Sequence, residues 1–183
     1  MRQFIKEYDS QLSPEECRMI IDFYNFSADK ARDEYRNLFY LNLDPNKFED
    51  HVGIDSLIFE SISECVMQYY IDFKDVYHPN IKTQDSGYQI MMYEMDNSEY
   101  PFHSDAMLPN GVSERQLSVI LYLNDLDEYG ETWFKFQDHV VYPKAGTILI
   151  FPATPQFSYK ETNHPEQDKY IVTTFVTAKY DQG

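Results

Sequence analysis

Near residue 88 the spacing of apolar side chains changes, and that change limits the folds open to this chain. Upstream, apolar residues recur every three or four positions. Ser13, Pro14 and Glu16 form a helix-start signature, followed by Cys17, Ile20, Ile21 and Tyr24 at helical spacing. A second amphipathic stretch carries Ile58, Ile62, Cys65, Tyr69 and Phe73 on one face. Downstream, the period is that of strands. Segments 88–93, 116–122, 132–136, 140–142, 147–151, 157–161 and 169–177 are short and rich in Tyr, Phe, Val, Ile and Thr. Turn formers separate them at Asp96-Asn97, Pro109-Asn110-Gly111, Pro143-Lys144-Ala145-Gly146 and Thr162-Asn163-His164-Pro165.

Helices followed by a run of strands predict an α+β, mostly β chain. The architecture expected is a double-stranded β-helix (a double-sheet jelly roll) with N-terminal packing helices. The 183 residues suit one domain, with a helical part over about 1–80 and a jelly-roll core over about 86–179. Sixteen Tyr and 13 Phe against one Trp lean the same way, since such rings suit a half-buried pleated surface.

The net charge of −16, from 31 acidic and 15 basic residues, disfavours nucleic acid or an anionic membrane as a direct partner. It agrees with a basic or neutral substrate, and equally with plain solubility. Cys17 and Cys65 lie on apolar helical stripes, which predicts two buried free thiols rather than a disulfide or metal site. The N-terminus has no apolar signal core and no stretch reaches membrane-span length, so a cytoplasmic chain is expected. Oligomeric state is not legible.

His103-Ser104-Asp105 is the first chemical candidate. On an extended strand, residues separated by one point the same way, so an imidazole and a carboxylate can reach one ion. Ferrous iron favours two His and one carboxylate on one face, with open positions opposite. The pattern is weak alone, and a solvated turn is the simpler reading.

Its surroundings change that. The stretch Tyr93-Glu-Met-Asp-Asn-Ser-Glu-Tyr100-Pro-Phe-His103-Ser-Asp105 precedes Arg115-Gln-Leu-Ser-Val-Ile-Leu-Tyr122-Leu-Asn-Asp and Tyr129-Gly-Glu-Thr132. Pro143-Lys-Ala-Gly146, Ile148-Leu-Ile-Phe-Pro152 and Lys169-Tyr-Ile-Val-Thr-Thr-Phe175 follow. In order and spacing this series resembles the prolyl 4-hydroxylase-like 2-oxoglutarate/Fe(II)-dependent dioxygenases, over roughly Tyr88 to Thr177.

The resemblance implies roles position by position. His103 and Asp105 match the first two metal ligands, and are thereby the catalytic candidates. Lys169 matches the base that holds the distal carboxylate of 2-oxoglutarate, with Thr173 as an added hydroxyl. Tyr122 and Tyr93 match pocket tyrosines. Each also has a plain reading, as a strand-end cation, a packed ring or a packed hydroxyl. Alternation places Lys169 with Ile171, Thr173 and Phe175 on one face, and Tyr122 with Ser118 and Ile120.

The cofactors implied are Fe(II), 2-oxoglutarate and O₂, with ascorbate as an optional addition. The activity implied is hydroxylation of a C–H bond in a peptide, protein or small-molecule substrate, prolyl residues being the favoured class. Segment 106–114 is the expected substrate-facing loop.

One position departs from the pattern. Where the second metal histidine belongs, the alignment puts Tyr159. Three readings stand open: Tyr159 ligates as phenolate, His164 folds back from the following turn, or the site keeps two ligands. The last leads to the alternative function, a jelly-roll binding module that retains the co-substrate pocket without a normal iron triad. His51, His78 and His139 are expected at the surface.

Overall fold

In the computed structural model, which describes residues 2–34, 36–77, 82–95, 101–106 and 115–179, two sheets face each other and two helices cover the outside of the larger. Helix α1 (Pro14–Phe26) opens as the sequence predicts. The Glu16 N–H donates to Ser13 Oγ at 3.3 Å, and the Glu16 carboxylate accepts the Ser13 N–H at 2.7 Å. Helix α2 (His51–Asp72) buries Ile54, Ile58, Ile62, Cys65 and Tyr69 along one stripe. Both cysteines are free and buried.

The larger sheet contains β1 (Lys6–Tyr8), β2 (Ala31–Asp33), β3 (Leu38–Asn42), β4 (Lys82–Asp85), β5 (Gln89–Tyr93), β6 (Arg115–Tyr122), β9 (Ile148–Pro152) and β11 (Lys169–Lys179). Its order is β1-β9-β6-β11-β5-β3-β2, with β4 also paired to β11. The smaller sheet is β10-β7-β8, from β7 (Thr132–Phe134), β8 (His139–Val141) and β10 (Tyr159–Glu161). A bridge between His103 and Tyr159 adds a fourth line to it.

The first third is therefore not purely helical: β1, β2 and β3 lie there. They are only three to five residues long, too short for period two to register; β1 forms by pairing with β9, β3 by pairing with β5, and β2 by pairing with β3. Tertiary pairing supplies what local sequence does not.

Alternation along β6 divides the interior. Leu117, Val119 and Leu121 join Ile148, Ile150 and Val172 against the helices. Ile120 and Tyr122 point between the sheets with Tyr93, Phe134, Phe151, Tyr159 and Ile171. The second layer holds the candidate site. Gly146 secures the loop before β9 with φ at +79°, and an added Cβ there would sit 2.0 Å from the Leu12 carbonyl oxygen.

Candidate active site

His103 and Asp105 leave the edge of the smaller sheet and turn into the space between the layers. The His103 N–H donates to the Tyr159 carbonyl at 3.0 Å, and the Tyr159 N–H returns a bond of 2.9 Å, so register with β10 fixes His103. Its Nδ1 lies 3.2 Å from the Pro101 carbonyl, which only accepts; Nδ1 therefore carries the proton in this contact. Burial holds the His103 pKa below its usual value, against the opposing pull of Asp105. The neutral imidazole thus turns an unprotonated Nε2 towards Asp105 Oδ1, 3.8 Å away. This is the tautomer a metal ligand needs, with the other nitrogen held by a carbonyl.

Asp105 is fixed from its other oxygen. Oδ2 accepts from Ser118 Oγ at 2.7 Å and from the Tyr159 hydroxyl at 3.1 Å. Donors at right angles on one ion, with bonds of about 2.0–2.2 Å, stand roughly 3 Å apart. The pair must close by somewhat under 1 Å to chelate, a movement within reach of side-chain rotation.

Tyr159 completes the cluster differently from a histidine. Its ring packs on His103 with centroids 4.5 Å apart and on Phe151 at 5.0 Å. Burial first, then the nearby Asp105 and Glu161 carboxylates, push its pKa well above 10. The phenol is therefore neutral, and its proton is committed to Asp105. His164 stays in the turn, where Nδ1 accepts the Glu166 N–H at 3.1 Å and its ring meets Tyr129. It does not line the cavity beside His103 and Asp105. Among the described residues, no group of three or more His, Cys, Asp or Glu side chains is placed to hold a metal.

Lys169 stands at the other end of the layer, wholly buried. Its ammonium donates to the Gly130 carbonyl at 2.5 Å and pairs with the Glu161 carboxylate. The Tyr93 and Tyr122 rings flank it, each centroid 5.7 Å from Nζ. Thr132 Oγ donates to Glu161 at 2.9 Å; with that proton spent, the Tyr122 hydroxyl is the donor in its 2.6 Å contact with Thr132. Gly130 has φ at +78°, and a Cβ there would come 2.5 Å from Leu126 Cδ1. The left-handed backbone favours glycine where its carbonyl meets the lysine.

The structure thus brings His103, Asp105 and Tyr159 together and groups Lys169 with Tyr122, while Tyr93 lies beside Lys169 and also lines the cavity of His103 and Asp105. Thr173 lines the cavity, but its hydroxyl faces Met91 Sδ at 4.0 Å rather than Lys169. Two partners were not singled out from sequence, Thr132 and Glu161. The first lay within the Gly-Glu-Thr block. The second shares a strand face with Tyr159 at a spacing of two. His51 corrects the surface expectation: it is 3% exposed, and Nδ1 accepts the Asp44 N–H at the start of α2. Segment 107–114 and His78 lie outside the described residues.

The cavity among His103, Asp105, Tyr159, Glu161 and Ile171 has a volume of about 30 Å³. His103 and Asp105 fit two of the three protein positions of a facial iron site, and neutral Tyr159 does not fit the third. A five-carbon dicarboxylate does not fit beside Lys169 in this arrangement, because Glu161 already takes that charge.

Residues 88–177 match the family described as the 2OG-Fe(II) oxygenase superfamily. No curated protein matches the chain. Among solved structures, similar folds include a viral collagen prolyl hydroxylase from Paramecium Bursaria Chlorella virus-1 in its 2OG complex. It has a TM-score of 0.73 and 18% identity, over 97% of each chain. A Pseudomonas putida prolyl-4-hydroxylase gives a TM-score of 0.71 and 15% identity, over 97% of this chain and 94% of that one. A Trichoplax adhaerens prolyl hydroxylase, solved with a hypoxia inducible factor peptide fragment, gives 0.69 and 15%, over 95% and 83%.

Proposed function

We propose that the chain is an oxidoreductase of the 2OG-Fe(II) oxygenase superfamily, whose pattern residues 88–177 match, working with Fe(II), 2-oxoglutarate and O₂ to hydroxylate a C–H bond in a peptide or protein segment. A prolyl residue is the favoured target, by analogy with the prolyl hydroxylases of like fold. The observation that carries this reading is the convergence of His103 Nε2 and Asp105 Oδ1 at 3.8 Å on the cavity floor, with the imidazole neutral and both partners oriented by hydrogen bonds.

In this proposal His103 and Asp105 hold the iron, which when bound supplies the oxidising chemistry. The protein's own part is placement. Pro101 sets the tautomer of His103, and Ser118 and Tyr159 aim Asp105. Tyr93, Phe134, Phe151 and Ile171 keep the layer dry. Lys169, with Tyr122 and Thr132 behind it, is the carboxylate-binding end, and Tyr93 and Thr173 complete the wall.

A second reading, a binding module without turnover, draws on the neutral phenol of Tyr159 where a third metal donor belongs. Iron-dependent succinate formation from 2-oxoglutarate, with and without ascorbate and proline-containing peptides, separates the two. Succinate above the metal-free control, with a 16 Da gain on a peptide, supports the oxygenase. Iron binding with neither product supports the module.

A further inference from the structure

Strand β10 places two buried residues of this site, Tyr159 and Glu161, on one face. Residues at i and i+2 of a strand point the same way, so one three-residue strand delivers Tyr159 to the metal end and Glu161 to the lysine end. Both side chains are buried; Glu161 is 2% exposed, although an unpaired carboxylate belongs in water.

What surrounds Glu161 explains why it stays. One carboxylate accepts from the Lys169 ammonium and from the Thr132 hydroxyl, and Thr132 in turn accepts from Tyr122. Lys169 and Tyr122 are the residues that the proposed function sets around the distal carboxylate of 2-oxoglutarate. Here that ring of donors is filled, and the carboxylate belongs to the chain itself.

Charge and space agree. Lys169 and Glu161 form a buried neutral pair, and a second carboxylate beside them would be an uncompensated buried charge. The remaining cavity of about 30 Å³ holds one or two waters. Sites for small organic ligands are roughly tenfold larger or more.

We propose that Glu161 is a built-in occupant of the co-substrate's carboxylate site, competing within the chain with 2-oxoglutarate and similar small dicarboxylates for Lys169. This rests on the reading of Lys169 as the carboxylate-binding base. Binding at this site therefore requires that the Glu161 side chain leave the lysine or be removed.

The test is calorimetric titration of 2-oxoglutarate, at fixed Mn(II), into the wild type, Glu161→Gln, Glu161→Ala and Glu161→Ala/Lys169→Met. Thermal shift with millimolar 2-oxoglutarate runs in parallel. The expected result is at least tenfold tighter binding by Glu161→Ala than by the wild type. Glu161→Gln, which keeps the shape and removes the charge, should gain in the same direction. The gain should vanish in the double variant, and 2-oxoglutarate should raise the melting temperature of Glu161→Ala more than that of the wild type. Wild-type protein that binds 2-oxoglutarate as tightly as the Glu161 variants, through Lys169, overturns the proposal. So does a folded Glu161→Gln with no gain. Should Glu161→Ala not fold, the wild-type and Glu161→Gln arms still decide. Tight binding by a Glu161 variant without iron-dependent succinate upholds the inference and counts against the oxygenase reading alone.

Discussion

Removing the Lys169 ammonium while leaving Glu161 in place should be among the most damaging single changes available to this chain. In Lys169→Met the stem volume is nearly kept, so the loss is electrostatic. Glu161, at 2% exposure, would retain only the Thr132 hydroxyl, and the Gly130 carbonyl would lose its donor. Breaking a buried ion pair from one side costs about 3–5 kcal/mol, because the surviving charge has neither water nor partner. For a chain of this length each kcal/mol moves the melting temperature by roughly 2–4 °C, so a fall of about 6–20 °C is expected. Lys169→Met/Glu161→Leu removes both charges and should recover roughly 2–3 kcal/mol of that loss. The shortfall from wild type reflects the Thr132 hydroxyl proton and the Gly130 carbonyl, which lose their partners. Urea unfolding of wild type, both single variants and the double variant measures the coupling directly. A Lys169→Met loss under about 1 kcal/mol, or strict additivity in the double variant, would show that Lys169 and Glu161 are not a coupled buried pair.

Other predictions follow from the same geometry. His103→Ala and Asp105→Ala should each remove most bound Mn(II), since each deletes one of two donors that meet at 3.8 Å; unchanged metal content in both variants would place the site elsewhere. Tyr159→His should bind iron at least several-fold more tightly, and the ferric wild type should lack a phenolate charge-transfer band, because the phenol is neutral and donates to Asp105. A strongly coloured ferric wild type that bleaches in Tyr159→Phe would contradict this. Burial raises the Cys17 and Cys65 pKa values to about 11, from 9.0 for the free thiol. The unfolded chain thus releases these protons first, so stability should decline as pH rises from 9 to 11, at up to roughly 1.4 kcal/mol per pH unit per thiol. Native thiols should also resist alkylation at pH 8 until the protein unfolds; rapid native labelling would show that they are not buried.

Much of the fold was legible because local and tertiary signals agree. The capping box at Ser13 and Glu16, the α2 stripe and the alternation along β6 each express burial on one face, which the order of residues reveals directly. The bounds of β10 were less legible. The 157–161 segment begins as a 3-10 turn over Pro155–Phe157, where Pro155 cannot donate to a ladder, and only Tyr159–Glu161 pairs. The short N-terminal strands were hidden because β1 and β3 exist by pairing with distant partners and β2 is a three-residue strand added to β3.

At the candidate site, the inward face of Lys169 followed from period two, whereas the pocket positions of Tyr122 and Tyr159 came from the family resemblance; Glu161 shares the face of Tyr159 by period two. What period two does not give is contact between residues on different strands. The meeting of Glu161 with Lys169 depends on β10 lying in the smaller sheet, across the layer from β11. His51 was misplaced for a similar reason. Its place at the start of a helix reads as exposed, whereas the Asp44 backbone and the rings of Phe23 and Phe48 enclose it.

In the proposed function, Tyr159 and Glu161 of β10 together restrain the oxygenase site. The most direct measurement is Fe(II)-dependent conversion of 2-oxoglutarate to succinate under O₂, comparing wild type with Tyr159→His/Glu161→Ala. At least tenfold faster succinate formation by the double variant is predicted, with each single variant between the two. A wild type that forms succinate as fast as the double variant would show that Tyr159 and Glu161 do not restrain the site.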